Sequence, residues 1–155
     1  MNGGPGAPAR ARPVQAADRG PWVIMRCALW PEADALELDA EAHAMLDGDG
    51  SQAAFVAERE GVLVGLAEAS LRHEYVNGTS SSPVGFLEGW YVAAAWRGRG
   101  IGRALVAAVE DWTRLHGCSE LASDALLDNA GSLAAHAGCG FEETERVVCF
   151  RKQVG

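Results

Sequence analysis

At 155 residues, 48% hydrophobic and 22% charged, the chain has the size and composition of one globular domain that buries a core without staples. A formal net charge of −8 excludes nucleic acid as an expected partner and suits a cationic ligand, although many proteins are acidic for solubility alone. No run approaches the roughly 18 apolar residues of a membrane span, and residues 1–20 lack the apolar segment of a secretory signal. Cys27, Cys118, Cys139 and Cys149 show neither C-x-x-C nor zinc-ligand spacing, so free buried thiols in a cytoplasmic protein, with no metal, are expected.

Residues 1–10 read as a flexible tail, leaving a single domain over residues 11–155. A short strand is predicted at 11–15. Asp18 and Gly20-Pro21 open a helix, with Trp22, Met25 and Leu29 on one face, ended at Trp30-Pro31. Residues 33–46 form a second helix before Asp47-Gly48-Asp49-Gly50. A hairpin of strands 53–58 and 62–70 turns at Glu60-Gly61. Residues 72–83 form a polar loop too long for a plain connector, hence a candidate functional loop. A strand follows at 84–92 and a helix at 100–116 with the stripe Ile101, Leu105, Val109 and Trp112. A strand at 119–123, a helix at 129–137 and strands at 141–144 and 147–151 close the chain. The order β-α-α-β-β-β-α-β-α-β-β is that of a mixed α/β layer fold.

The most informative stretch joins the strand through Ala93 to Trp96 to the loop Arg97-Gly98-Arg99-Gly100-Ile101-Gly102 and the helix behind it. Free backbone N–H groups at such a helix start suit a phosphate or pyrophosphate. A Walker A loop is excluded because the Gly-Lys-Ser/Thr ending is missing. A dinucleotide fingerprint is excluded because Arg103 holds its last glycine position and the loop follows a meander. A plain strand-to-helix turn stays open. By strand alternation Glu88 shares a face with Val84, Phe86, Trp90 and Val92, where a carboxylate is paired, beside a ligand, or costly.

Arg97-x-x-Gly100-x-Gly102, in this order of elements, resembles the acyl-CoA loop of the GCN5-related N-acetyltransferases. The runs Leu29-Trp30-Pro31, Arg72-His73-Glu74-Tyr75-Val76-Asn77-Gly78, Ser81-Ser82-Pro83, Phe86-Leu87-Glu88-Gly89, Ala122-Ser123-Asp124 and Gly140-Phe141-Glu142-Glu143-Thr144-Glu145-Arg146-Val147 resemble the aminoglycoside 6'-N-acetyltransferases within them. The likeness runs from about residue 11 to the end. It implies the acyl-CoA N-acyltransferase fold, acetyl-CoA as co-substrate, acetyl transfer to the 6'-amine of aminoglycosides by direct attack in a ternary complex, antibiotic resistance, and a cytoplasmic bacterial homodimer.

The resemblance also assigns roles. Glu88 and Asp124 become catalytic candidates for taking the ammonium's proton, and with Trp30, Tyr75 and Glu145 they become substrate contacts. Arg97, Gly98, Arg99, Gly100, Ile101, Gly102 and Arg103 hold the cofactor's pyrophosphate. The backbone of Trp90, Tyr91 and Val92, and the amide of Asn129, take its pantetheine and acetyl parts. Each residue has a rival structural reading: an ion pair for Glu88, helix caps for Asp124 and Asn129, a solvated charge for Glu145, a core aromatic for Trp30. The resemblance favours a ligand ammonium over a protein arginine as the partner of Glu88. His136 is expected to be a packed histidine, and Phe150 has no hydroxyl to act as an acid, which leaves the thiolate's proton donor open. Acetylation of a polyamine or peptide N-terminus, or acyl-CoA binding without catalysis, are the alternative functions.

Overall fold

The computed structural model describes residues 9–155, so the expected tail lies outside the described residues up to residue 8. Ala9 already packs against the core. Strand β1 (Ala11–Pro13) leads through a 3-10 turn at Ala16–Asp18 into helix α1 (Arg19–Leu29). Asp18 ties these together. Its carboxylate accepts from Arg12 Nη1 and Nη2 at 2.7 and 2.9 Å and from the Gln15 N–H at 2.7 Å. The hydrogen bonds from Arg12 hold this carboxyl below the usual carboxylate range. Helix α2 (Ala35–Leu46) is capped by Asp34, which accepts from the N–H groups of Leu36 and Glu37.

Strands β2 (Gln52–Arg59) and β3 (Val62–Arg72) form the expected hairpin, with Glu60 and Gly61 both at positive φ. β4 (Val84–Val92) adds to β3, and β5 (Leu121–Ser123) pairs in parallel with β4 after helix α3 (Ile101–Leu115). Helix α4 (Ala130–Gly138) follows β5. The result is a mixed α/β fold with a five-stranded sheet in the order β1-β2-β3-β4-β5.

Each sheet face carries its own core. Trp22, Met25 and Ala42 from α1 and α2 pack on Ala54, Val56 and Leu66. Ile101, Leu105, Val106 and Val109 of α3 pack on Phe55, Ala67, Ala69 and Leu87. Fully burying one such aliphatic side chain is worth about 1.5–3 kcal/mol, so the α3 stripe seen in the sequence is what fastens this helix.

Two irregularities open the sheet. β5 pairs with β4 only at residues 85–87, and β4 continues to Val92 with that edge free. Glu68 pairs with Gly89 and Ala69 with Leu87, so Glu88 is the extra residue of a β-bulge. The expected face-sharing is thereby corrected. Glu88 lies with Phe86 on the face of Ser70 and Arg72, whereas Trp90 and Val92 pack on the α3 core. A bulge changes the alternation on which that reading depended.

The strands expected at 141–144 and 147–151 do not form. Beyond Phe141 the chain is an exposed arm without helix or strand, with Val147, Val148 and Phe150 at 61%, 77% and 92% exposure. Strand-forming residues need a neighbour for their backbone groups, and this arm finds none among the described residues. The cysteines are free, as expected, but of the four only Cys118 is buried: Cys27 and Cys139 are half-buried and Cys149 is exposed on this arm.

Candidate active site

The loop ahead of α3 is shaped by backbone conformation. Gly98 and Gly100 adopt φ of 75° and 81°, and among the described residues nothing beyond the adjoining ones lies within 4 Å of where a Cβ would stand on either. Gly100 is the N-cap and offers no side chain, and the first helical bond from Ala104 returns to its carbonyl. The N–H groups of residues 101–103 therefore precede the helical ladder. Three arginines brace the loop. Arg97 Nε donates to the Val92 carbonyl at 2.8 Å, Arg103 Nη2 to that of Gly138 at 2.6 Å, and Arg99 lies 5.0 Å from the centre of the Trp96 ring. Trp90 donates from Nε1 to the Gly102 carbonyl, which joins the free part of β4 to the helix start.

On the α1 face the bulge presents Glu88. Ser70 Oγ donates to it at 2.6 Å, and Arg72 Nη2 reaches both carboxylate oxygens at 2.9 Å. The expectation that a ligand and not an arginine would partner Glu88 is corrected for the free protein. Arg72, which stacks 3.5 Å from the centre of the Phe86 ring, lies two turns of strand alternation beyond Glu68 and was invisible as a partner in the sequence. Trp30, the C-cap of α1, meets the same bulge from the helix side. A Cβ on Gly89 would stand 2.7 Å from Trp30 Cη2, so only glycine admits the ring there.

Tyr75 is 74% exposed on the loop of residues 73–83. Glu120, just before β5, fastens that loop by accepting from the Ser80 N–H and from Ser81 Oγ, and the Ser81 hydroxyl holds its carboxyl below the ordinary range. Thr144 packs against Gly78, which brings the start of the arm, and so Glu145, alongside the loop of Tyr75. Asp124 is exposed just past β5, and its carboxylate makes no hydrogen bond or ion pair among the described residues. Asn129 caps α4, its Oδ1 accepting from the Ser132 N–H at 3.1 Å. His136 packs edge-on to Trp90 and Phe141. Its Nδ1 donates to the Ser132 carbonyl at 2.7 Å, and its Nε2 lies 2.8 Å from Ser123 Oγ, a hydroxyl that also reaches the Leu87 carbonyl at 3.4 Å. Among the described residues no cluster of His, Cys, Asp and Glu could hold a metal.

A strand edge left open beside a glycine-shaped helix start offers free backbone groups to a phosphate-bearing ligand. The acetyltransferase (GNAT) family profile matches residues 21–141. The chain belongs to this family. Among GNAT proteins it is 54% identical over 141 residues to a Stenotrophomonas maltophilia protein named aminoglycoside N(6')-acetyltransferase type 1, covering 90% of each chain. It is 41% identical to an Acinetobacter baumannii protein of the same name, covering 92% of this chain and 97% of that one. Among solved structures it is similar to AAC(6')-Iy in complex with the bisubstrate analogue CoA-S-monomethyl-acetylneamine. There the TM-score is 0.90 at 40% identity, covering 96% of this chain and 100% of the other.

Proposed function

We propose that this protein transfers the acetyl group of acetyl-CoA to the 6'-amine of aminoglycosides by direct attack in a ternary complex, conferring resistance to these antibiotics. The observation that carries the reading is β4 itself. Residues 88–92 leave one strand edge free beside the α3 helix start and hold Glu88 on the α1 face. The names and the bisubstrate complex of the relatives support the same pairing of ligands. Residues 11–155 act as a single domain in this reading, working in the bacterial cytoplasm where acetyl-CoA is available. Among the described residues no helix is long and apolar enough to cross a membrane.

When bound, acetyl-CoA supplies a thioester whose carbonyl carbon is the electrophile. The N–H groups of residues 98–103 and the guanidinium groups of Arg97, Arg99 and Arg103 hold its pyrophosphate, in the open space at Gly98 and Gly100. Backbone groups of Trp90, Tyr91 and Val92 on the free edge take the pantetheine and the acetyl oxygen. Asn129 spends its carbonyl on Ser132 and offers its NH2 group.

Trp30 and Tyr75 wall the sugar rings, and Glu88, Asp124 and Glu145 hold ammonium groups. Each pair at about 4 Å is worth roughly 4 kcal/mol at an effective dielectric of 20, before desolvation and salt reduce it. The attacking amine must first lose a proton. Glu88 is held by Arg72 and Ser70, whereas Asp124 is uncommitted, which favours Asp124, through water, as the acceptor and Glu88 as the anchor. Alignment of the two reactants contributes up to about 7–11 kcal/mol to lowering the barrier.

The assay is acetyl-CoA-dependent thiol release with kanamycin, an analogue bearing a 6'-hydroxyl, and spermidine. Turnover of kanamycin alone is expected. Equal turnover of the hydroxyl analogue overturns the 6' assignment, and turnover of spermidine alone overturns the substrate class. A homodimer is part of the proposal, supported by the exposed apolar arm and by the short β5, whose pairing is confined to its β4 side.

A further inference from the structure

The mechanism above leaves one buried charge cluster unused. Arg26 and Glu68 are 3% and 2% exposed, on α1 and at the middle of β3. Arg26 Nε donates to Glu68 Oε2 at 2.9 Å and Nη2 to Oε1 at 3.1 Å, and Trp22 Nε1 donates to Oε2 at 2.8 Å. The remaining guanidinium hydrogens go to the Leu38 carbonyl at 2.6 Å and to Glu41 on α2. Every guanidinium hydrogen of Arg26 and both carboxylate oxygens of Glu68 are engaged, which fixes the geometry of the pair.

Its place is telling. Glu68 is the β3 residue that pairs with Gly89, next to the bulge. Arg26 Cζ lies 5.1 Å from the centre of the Trp30 ring, within cation–π range, and the far edge of that ring abuts Gly89. The indole is therefore held between the guanidinium and the backbone of the bulge, and the same guanidinium is fixed to the strand opposite. Stability alone is a weak reason for such a pair, because apolar residues of similar volume are often as stable in its place.

We propose that the Arg26–Glu68 pair is a positioning device for substrate recognition: it locks α1 to the bulged strands so that Trp30 stands as a rigid wall beside Glu88. The inference rests on the reading of Trp30 as a wall of the aminoglycoside site. Neither residue touches substrate, so the effect falls on affinity for the amine and leaves the acetyl-CoA side alone.

The test is a double-mutant cycle read by calorimetric binding of kanamycin and, separately, of CoA to the full chain. Arg26→Met combined with Glu68→Gln removes both charges while leaving Trp22 an acceptor, which avoids stranding a buried ion. Arg26→Lys keeps the charge but not the forked contact. For the double variant, kanamycin binding is expected to weaken by roughly tenfold or more, with CoA binding changed by less than about twofold. Arg26→Lys should fall between. Adding Trp30→Ala to the double variant should cost little more, because both changes remove the same wall. Full additivity with Trp30→Ala, or a lowered Tm with unchanged kanamycin affinity, overturns the proposal and makes the pair a structural one. If Trp30→Ala alone has no effect, the wall and this inference both fail, while kanamycin turnover by the unaltered protein still decides the acetyl-transfer reading independently.

Discussion

Gly89 shows how tightly a single position is determined at the bulge. A Cβ there would enter the Trp30 ring at 2.7 and 2.8 Å and crowd Leu29 at 3.1 Å. Gly89→Ala should lower stability by about 1–3 kcal/mol through overpacking. It should also raise the KM for the aminoglycoside while leaving that for acetyl-CoA unchanged, measured by thiol release and thermal melting. An unaltered aminoglycoside KM would show that the ring's position does not matter to binding. The glycine was plain in the sequence, but its reason was not. Nothing in Phe86-Leu87-Glu88-Gly89-Trp90 marks which residue is extra, because apolar neighbours on both sides satisfy either alternation.

Among the elements, α3 was legible nearly in full because a stripe at helical spacing and a glycine cluster at its start depend on local sequence alone. Its N-terminus makes a sharp prediction. Gly100→Ala places a side chain at φ 81°, at a conformational cost of about 1–2 kcal/mol, and fills the open space of the cradle. The KM for acetyl-CoA should rise severalfold with the helix still formed, as circular dichroism would report. Helix α1 was legible as a helix but not as a carrier of buried charge. Arg26 carries no mark of burial in the sequence, because its partner Glu68 is remote along the chain. The start of α1 is also where acid acts. The depressed carboxyl of Asp18 contributes stability that is complete above the unfolded value of about 3.9 and is lost as pH falls through its lower folded value. The Tm gap between the unaltered protein and Asp18→Asn should be largest near neutrality and close in strong acid. A gap constant down to about pH 2 would remove Arg12–Asp18 from the account.

For the molecule as a whole, the closing segment misled for a physical reason. Val147-Val148-Cys149-Phe150 has strand composition, and composition does not say whose backbone completes the ladder. Leaving Phe150 92% exposed is costly for an isolated chain and natural for one that gives its arm to a second copy. Removing residues 147–155 should convert a dimer to a monomer by light scattering, with α3 and the sheet retained. A monomeric full-length protein would refute the dimer outright. Of the candidate contacts, Glu145 stood out in the sequence by likeness alone, whereas Tyr75 lay on a polar loop too long for a plain connector and Asp124 at the end of a strand. Glu120, which fastens the loop of Tyr75 to the start of β5, carried no signal because its partners are main-chain and serine groups.

The bulge has a consequence for how β4 could vary. Leu87 faces the α3 core and Gly89 faces Trp30, and these are the orientations that directly successive residues of a regular strand would take. Hydrophobic register is therefore indifferent to Glu88: the strand can lose that residue, close its ladder onto Glu68 and Ala69, and keep both cores aimed as they are. A chain with Glu88 deleted should fold, melt cooperatively and show no acetyl transfer. Folding therefore does not protect Glu88 against a single-codon deletion, and under the proposed function the loss would fall on substrate binding.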